Sequence, residues 1–369
     1  MTDSREVFPN RRGGRRLALG LTATGAAVVV AAVLCELLAR LAFPPPPPLP
    51  RQPQLTYRQH RDFGFLPLPN QAGWVEGGWA TINSLGLRGS EPGNPKPVRS
   101  FRILVAGDST TFGWGVNDHE TYAVRLEQLI RHQRSPVRDE VINAGVNGYD
   151  LRQTSSLLRY LTPRLQPDLV LLGLFWNDLD YQVQTPEGQL LVDRSQLPDV
   201  AAEQSGTFQM IGQGSGMRAT LRQSRAVYVL WQAWLSAIEN TSRADNAVRW
   251  EVALLEGRRT PAIEQAWIEM SRELAEVRTI ATDAGAEIAI VIIPIRAQVE
   301  RDYPHAAYQT RVADIAKRLG ITVVDPLPMF RSQRKQRDLF IPFDRMHMSP
   351  AGHELMGRTI YDAILRFLR

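Results

Sequence analysis

The chain has 369 residues, 44% of them apolar, which suits one large domain or two small ones with a substantial core and excludes a largely disordered protein. Its 43 Lys and Arg residues against 38 Asp and Glu residues leave a net charge of +5, and much of that excess falls in the first sixteen residues. There is no basic stripe of the kind that binds nucleic acid. The single cysteine, Cys35, excludes an internal disulfide framework and a cysteine-rich metal site.

The first predicted element is an apolar helix near the amino terminus. Residues 17–35 carry no charge, and as a helix they would cross most of a hydrocarbon core of about 30 Å. We predict a single-pass transmembrane helix over 17–43, with the basic tail 1–16 in the cytoplasm and the rest of the chain outside it. A cleaved signal peptide is the alternative, disfavoured by the length of the run and by Arg40. A lipid-modified Cys35 is a weaker alternative, because a leucine precedes the cysteine.

A proline-rich segment follows this helix. Residues 44–54 include five consecutive prolines, which favour a stiff polyproline II rod. We predict a spacer between the membrane and a domain over 55–369, and a docking site for a proline-binding partner is the alternative. Residues 55–100 mix aromatic residues with turn signals and are interpreted as irregular structure or short strands against the core. We assign Arg88 to the surface, where it could bind an anion.

From Phe101 onward, short buried runs alternate with helical patterns. Runs rich in Val, Ile and Leu predict five strands, at residues 101–106, 140–143, 169–174, 287–293 and 321–325. Helices are predicted at 119–133, 151–163, 262–284 and 306–319, and from Ser349-Pro350 to the carboxyl terminus. Strands joined by helical crossovers form a parallel sheet covered on both faces, so the predicted fold class is α/β.

A long insert separates the third and fourth predicted strands. The gap of roughly a hundred residues exceeds what a crossover needs, and we assign residues 181–258 to a helical insert. Apolar residues at the spacing of an amphipathic helix, Trp231 and Trp234 among them, predict a helix around 227–238. It either packs on the core or forms a lid or acceptor wall beside a binding site. The glycine-rich stretch Gly206–Gly216 is predicted to be its flexible approach.

A serine stands where the first core strand ends. Residues 103–106 have the composition of a strand buried on both faces, and Gly107 allows a sharp turn before Ser109. Ligands of open α/β sheets bind beyond the carboxyl ends of the strands. Ser109 is therefore a candidate nucleophile if a base and oxyanion donors lie nearby. The alternative is that Ser109 only caps the next helix.

Three later stretches could supply those partners. Asn143–Gly148 follows the second strand as a glycine-containing turn whose amides can point at a bound oxygen. Asn177 brings a side-chain amide to the end of the third strand, although such an asparagine often only satisfies its own turn. Asp344 and His347 are three residues apart, and a carboxylate on one imidazole nitrogen leaves the other nitrogen to accept a serine proton. The rival base, His353, is assigned to the last helix.

The blocks GDST, NAGVNG, WND and DRMH, in this order, resemble those of the SGNH/GDSL hydrolase superfamily over about residues 80–369. The resemblance implies a flavodoxin-like α/β/α sandwich with a five-stranded parallel sheet. It also implies site roles: Ser109, His347 and Asp344 as the catalytic triad, and the Ser109 amide, Gly148 and Asn177 as the oxyanion hole.

Two departures from the family pattern accompany this resemblance. Thr110 replaces the leucine of the GDSL block without consequence for function. Phe175-Trp176 stands where a glycine often precedes the asparagine, which predicts a narrower pocket or a smaller acyl group. We predict no cofactor and no metal, because the first strand lacks the dinucleotide and phosphate-loop motifs and the six histidines show no paired metal spacing.

The expected function is that of a membrane-anchored serine esterase outside the cytoplasm. Its expected substrate is an envelope or extracellular glycan, or a small ester, from which it removes an O-acyl group such as acetyl. O-acetyl transfer to a polysaccharide is the alternative enzymatic function, since alginate O-acetyltransferase-like proteins resemble this arrangement. A non-catalytic glycan-binding envelope protein with a vestigial site is the alternative outside enzymology. No nucleic-acid partner is expected.

Overall fold

The structure, a computed structural model, describes residues 11–46, 51–134, 138–182, 207–208, 223–239, 253–300, 305–344 and 346–368. The chain divides into two compact units. The smaller unit contains helix α1 (Arg11–Ala42) and most of a helix at Arg225–Glu239, which is α5 in chain order. In α1, residues Thr22–Ala42 are long and apolar enough to cross a membrane, a property that amino-terminal signal sequences share.

The larger unit is of the α/β class. Its strands are β1 (Tyr57–His60), β2 (Gly64–Pro67), β3 (Gln71–Val75), β4 (Gly78–Ile82), β5 (Arg102–Gly107), β6 (Glu140–Gly145), β7 (Leu169–Leu174), β8 (Thr207–Phe208), β9 (Glu287–Ile292) and β10 (Thr322–Val324). Its helices are α2 (Ser109–Phe112), α3 (Tyr122–Arg134), α4 (Leu151–Leu165), α6 (Pro261–Asp283), α7 (Arg296–Glu300), α8 (Ala307–Leu319), α9 (Leu327–Gln333) and α10 (Pro350–Ile364). Short 3₁₀ segments occupy Asp118–Glu120, Trp176–Gln182 and Leu365–Leu368.

Five strands form a parallel sheet in the order β10-β9-β7-β5-β6. Every residue of β5 and β7 is buried, as expected for strands covered on both faces. Helix α3 packs against α10 and α4 against α6. The predicted five-stranded α/β/α fold is confirmed. Strand β5 lies between β6 and β7 and is parallel to both, so the carboxyl ends of these three strands lie side by side at one edge of the sheet.

The segment before the sheet forms short strands, the second of the two predicted alternatives, and they pair in antiparallel fashion. Strand β1 pairs with β2 and β8, and β3 with β4. A Cβ at Gly78 would collide with the backbone of Val116, so the β3–β4 hairpin lies directly on the loop that follows α2. The amide of Trp74 donates to the Pro53 carbonyl at 2.8 Å, and Gln54 is buried. The packed structure therefore begins within the segment predicted to be a spacer.

Arg88 is buried, and its prediction as a surface residue was wrong. It is only 4% exposed. Its five N–H groups donate at 2.6–3.1 Å to the Asp118 carboxylate and to the carbonyls of Trp79, Phe112, Gly113 and Val116. A guanidinium can be buried when all its donors are satisfied in this way. Arg88 therefore joins the hairpin to the loop after α2 and has no donor left for an external anion.

A second buried arginine lies at the edge of the sheet formed by the amino ends of the strands. Arg102, at the amino end of β5, is 2% exposed and donates to the Glu140 carboxylate at 2.5 and 2.8 Å. It also donates to the carbonyls of Leu165 and Gly93 at 2.5 and 2.6 Å. The amino ends of β5 and β6 are thereby linked to the end of α4.

Part of the predicted insert 181–258 is described. The predicted amphipathic helix is confirmed as α5, which carries Trp231 and Trp234. Apart from the short strand β8, the predicted glycine-rich approach Gly206–Gly216 lies outside the described residues, as does Trp250.

Candidate active site

The first feature of the site is the turn between β5 and α2. Gly107 has φ +153°, and a Cβ there would approach the Gly173 carbonyl to 2.8 Å. The Asp108 carboxylate accepts hydrogen bonds from the Thr110 amide at 2.9 Å and from its hydroxyl at 2.6 Å. Asp108 is therefore the N-cap of α2, and the alternative in which Ser109 caps this helix is wrong. Ser109 is the first helical residue. We call residues 107–113, which carry the candidate nucleophile, the nucleophile turn.

Neighbouring strands hold the nucleophile turn in place. A Cβ at Gly145 would collide with the Phe112 amide, so the end of β6 must be bare for α2 to approach it. The Asn143 side-chain amide donates to the carbonyls of Thr111 and Phe112 at 3.1 and 3.2 Å, while its oxygen accepts from the Gly145 amide at 3.0 Å. Arg88 donates to the Phe112 and Gly113 carbonyls, so the carbonyls of Thr111, Phe112 and Gly113 all accept hydrogen bonds from buried side chains.

Ser109, His347 and Asp344 form one hydrogen-bonded chain. Ser109 Oγ lies 2.9 Å from His347 Nε2, and His347 Nδ1 lies 2.8 Å from Asp344 Oδ2. Asp344 Oδ1 accepts the backbone amides of Met346 and His347, both at 2.8 Å. The two backbone amides orient the carboxylate, and the carboxylate in turn orients the largely buried imidazole ring. This arrangement can move a proton from the serine hydroxyl to the imidazole.

The charge of Asp344 suits a partner for an imidazole. Burial by itself would raise the pKa of this carboxyl, but hydrogen bonds and the charge of His347 outweigh it, so the pKa lies below its ordinary value. Arg296, at the start of α7, donates to the carbonyls of Ile341 and Asp344. A side chain that follows β9 thus holds the loop that carries Asp344 and His347.

The two other residues of the predicted oxyanion hole lie on either side of β5. Gly148 is an exposed turn residue with φ +77°, after β6. Asn177 lies in the 3₁₀ segment after β7, and its side-chain amide donates to Asp108 at 3.3 Å. Both residues are therefore at the carboxyl edge of the sheet, flanking the strand that ends at the nucleophile turn.

Two residues near the imidazole were not found from the sequence. The Trp114 ring stacks on His347, with centroids 5.6 Å apart and planes at 26°, and it is half-buried. Glu76 lies in the β3–β4 turn with φ +52°. Burial raises the pKa of Glu76, and repulsion from the Asp344 carboxylate adds to the shift while the charge of His347 opposes it. Neither residue belongs to a motif, because both reach the site through loop packing.

His353 lies on α10, as predicted, and takes no part in this chain. Its ring is 1% exposed, accepts the Tyr122 amide at 3.2 Å on Nδ1 and stacks on the Tyr122 ring at 5.8 Å. Burial lowers the pKa of His353 to about 3. The ring is therefore a neutral packing group that joins α10 to α3.

This buried ring predicts an acid sensitivity of the fold. An unfolded chain protonates histidine near pH 6.5, so between about pH 3 and 6.5 the unfolded state binds more protons and the free energy of unfolding falls as the pH falls. From about pH 7.5 to about pH 5, His353 should account for a loss of about 2 kcal/mol. Urea unfolding of wild type and His353→Gln at both pH values tests this. The cost of replacing the packed ring cancels in each difference, and equal losses in the two proteins would contradict the prediction.

The sequence profile of the GDSL-like lipase/acylhydrolase family matches residues 105–355. The chain belongs to this family. It is accordingly an SGNH/GDSL-type serine hydrolase that acts on ester bonds. The match begins within β5, ahead of the nucleophile turn, and ends within α10, beyond Asp344 and His347.

Several solved structures resemble the chain at low sequence identity. LAE5, an alpha/beta hydrolase enzyme from the metagenome of Lake Arreo, Spain, is 16% identical, with 73% of this chain and 94% of that chain covered and a TM-score of 0.41. A member of the lipolytic protein G-D-S-L family from Veillonella parvula is 13% identical, with 72% and 100% covered and a TM-score of 0.40. A catalytic mutant of Axe2, an acetylxylan esterase from Geobacillus stearothermophilus, is 14% identical, with 72% and 94% covered and a TM-score of 0.41. Comparison with curated proteins finds no match.

Proposed function

We propose that this GDSL-family hydrolase is a membrane-anchored serine esterase that removes O-acyl groups, chiefly acetyl, from a cell-envelope or extracellular glycan. The observation that carries the proposal is the hydrogen-bonded chain of Ser109, His347 and Asp344, with its distances of 2.9 and 2.8 Å. Such a chain is what an uncharged serine requires to become a nucleophile.

In the proposed mechanism, Ser109 Oγ attacks the carbonyl carbon of the ester while His347 Nε2 takes the hydroxyl proton. The C–O bond to the sugar then breaks, and His347 returns the proton to the departing sugar oxygen, which leaves an acyl-serine. Water attacks this acyl group in the second half, again losing a proton to His347, and the carboxylic acid leaves as Ser109 is restored. Asp344 keeps Nδ1 protonated and stabilises the imidazolium.

The tetrahedral intermediates of both halves carry a negative oxygen. We assign its stabilisation to the backbone amides of Ser109 and Gly148 and to the side-chain amide of Asn177. Support comes from their placement at the ends of three adjacent strands. One N–H of Asn177 donates to Asp108, which fixes the plane of the amide. Donors held rigidly in this way avoid reorganisation when charge develops.

Aromatic side chains around the site support a small acyl group and a sugar. Phe175 and Trp176, which directly precede Asn177, are buried at 1% and 6% exposure, and two large rings at this position favour a small acyl group. Trp114 is half-buried beside His347, and Trp74 and Trp79 of the β3–β4 hairpin form a partly exposed pair at 5.3 Å. Sugar faces stack on such rings.

The anchor is assigned to α1. Its apolar residues Thr22–Ala42 are long enough to cross a bilayer, and arginines precede them in the sequence. Because arginine-rich flanks stay in the cytoplasm, we assign the hydrolase domain to the extracytoplasmic side.

The test is to follow acetate release by the detergent-solubilised full chain, using aryl esters of increasing chain length and acetylated xylo-oligosaccharides. We expect turnover to fall steeply from acetyl to longer chains, because the rings beside Asn177 limit the pocket. We also expect free acetate from the oligosaccharide. Repeating the aryl-acetate assay with unacetylated oligosaccharide distinguishes transfer from hydrolysis.

Each other outcome identifies a different function. Acetyl groups appearing mainly on the added sugar would make the protein a transferase, since both reactions share the acyl-serine and differ in what attacks it. Faster turnover of octanoyl than acetyl esters would contradict the small acyl group. A protein that releases nothing and resists a fluorophosphonate would be a binding protein.

A further inference from the structure

The carboxylate of α1 residue Glu36 caps the first turn of α5. Glu36 Oε2 accepts the Ser224 hydroxyl at 2.6 Å and the Ala226 amide at 3.0 Å, and Oε1 accepts the Arg225 amide at 3.3 Å. The first amides of a helix have no intrahelical acceptor, and the positive end of its dipole attracts an anion. Glu36 therefore performs for α5 the task that a local capping residue usually performs.

The reverse contact is made by Arg225. Its Nη1 donates to the carbonyls of Arg40 and Phe43, at 2.7 and 3.1 Å, where α1 ends. Arg40 in turn donates to Glu36 at 2.8 Å. The last carbonyls of a helix lack intrahelical donors, so Arg225 caps α1 as Glu36 caps α5. This reciprocal cap fixes the start of α5 at the end of α1.

One stripe of α5 is apolar and exposed. Val227, Leu230 and Trp234 lie on one helical face and are 40%, 69% and 58% exposed. Gln232 and Tyr228 lie elsewhere around the helix and hydrogen-bond to each other at 2.9 Å. Helix α1 also exposes large apolar side chains up to its end, including Leu38 at 64% and Leu41 at 86%. The two exposed apolar surfaces belong to helices joined by the reciprocal cap.

We propose that α5 lies in the interfacial layer of the bilayer that α1 crosses, with Val227, Leu230 and Trp234 turned toward the acyl chains. This inference rests on the proposed anchoring by α1. If the end of α1 lies at the membrane surface, the reciprocal cap brings the start of α5 to the same depth. An amphipathic helix with tryptophan in its apolar face is suited to that layer. The Glu36 carboxylate is then paired with Arg40 and close to the membrane surface, where a charged side chain has a small free-energy penalty.

The test measures the membrane depth of single fluorophores on the full chain. In a Cys35→Ala background, NBD is attached to Leu230→Cys, to Leu38→Cys in α1, or to the matched control Val98→Cys, an apolar residue of the larger unit that is 91% exposed. The proteins are reconstituted in vesicles of phosphatidylcholine and phosphatidylglycerol, with or without nitroxide-labelled lipid. Fluorophosphonate labelling verifies that each variant is folded.

We expect strong nitroxide quenching at Leu38, at least half as much at Leu230 and little at Val98. Adding Glu36→Ala should lower the quenching at Leu230 while leaving it unchanged at Leu38, because one half of the reciprocal cap is lost. Quenching at Leu38 with none at Leu230 would overturn the docking of α5 and leave the anchor intact. Absence of quenching at Leu38 would overturn the anchor and the docking together. An unaltered Leu230 signal in the Glu36→Ala variant would refute the role of the reciprocal cap.

Discussion

Ser109→Ala is expected to reduce ester turnover by about 10⁴-fold or more and to abolish covalent labelling by a fluorophosphonate. The substitution removes only the Oγ that lies 2.9 Å from His347 Nε2, so binding and oxyanion stabilisation remain. Turnover of an aryl acetate and gel-based probe labelling measure the two effects. His347→Ala should lose a similar share of turnover, because a serine without its base is a poor nucleophile.

The matched control is Ser332→Ala. The Ser332 hydroxyl is exposed and donates only to Met329 on its own helix, so wild-type turnover and labelling are expected. His353→Gln should also retain most of its turnover at neutral pH. Undiminished labelling of Ser109→Ala would show that another residue is the nucleophile. A His353→Gln variant that folds normally but is inactive would show that His353, and not His347, is the base.

Arg88→Ala is expected to lower the stability of the fold strongly. Five hydrogen bonds disappear together, and four carbonyls and the Asp118 carboxylate lose a buried donor. Breaking a buried, charge-assisted network of this kind lowers the free energy of unfolding by about 3–5 kcal/mol. Since two of the carbonyls belong to the nucleophile turn, turnover should fall as well. Thermal unfolding and aryl-acetate turnover measure both.

Two comparisons give this prediction its controls. Arg358→Ala removes an exposed arginine whose nearest carboxylate is 4.0 Å away, and the melting temperature should barely change. Arg88→Lys keeps the charge but has only three donors without the planar fork, so its stability should lie between the wild type and Arg88→Ala. A melting temperature of Arg88→Ala equal to that of Arg358→Ala would mean that the network contributes nothing.

The core of the fold could be predicted from the sequence because its strands are continuous apolar runs. Residues 169–174 match β7 at both ends, and the predicted 101–106 is displaced by one residue from β5. Helix α6 was recognisable from Thr260-Pro261, where the threonine side chain caps the first turn as expected. In these places, local propensity and burial agree.

Features that depend on distant loops could not be predicted in this way. Arg88 has an ordinary surface composition around it, and its burial follows only from the carbonyls that the nucleophile turn and the β3–β4 hairpin bring together. Trp114 is placed against His347 by a contact between residues more than two hundred positions apart. Sequence periodicity reports which face of an element is buried, and it contains no information on loop-to-loop contacts of this kind.

The two ends of the six-residue strand β5 have different roles, one in stability and the other in the proposed chemistry. Arg102 locks its amino end, and Ser109 follows its carboxyl end about 20 Å away at the rise of an extended strand. In directed evolution, the residues at the amino end of β5 and those at its carboxyl end can therefore be varied separately. Libraries around Arg102, Glu140 and Leu165 would select for heat tolerance at constant catalytic rate, and libraries around the half-buried Trp114 would select for substrate range at constant melting temperature. Combining the substitutions selected from the two libraries should give additive effects on stability and activity, since substitutions this far apart rarely interact.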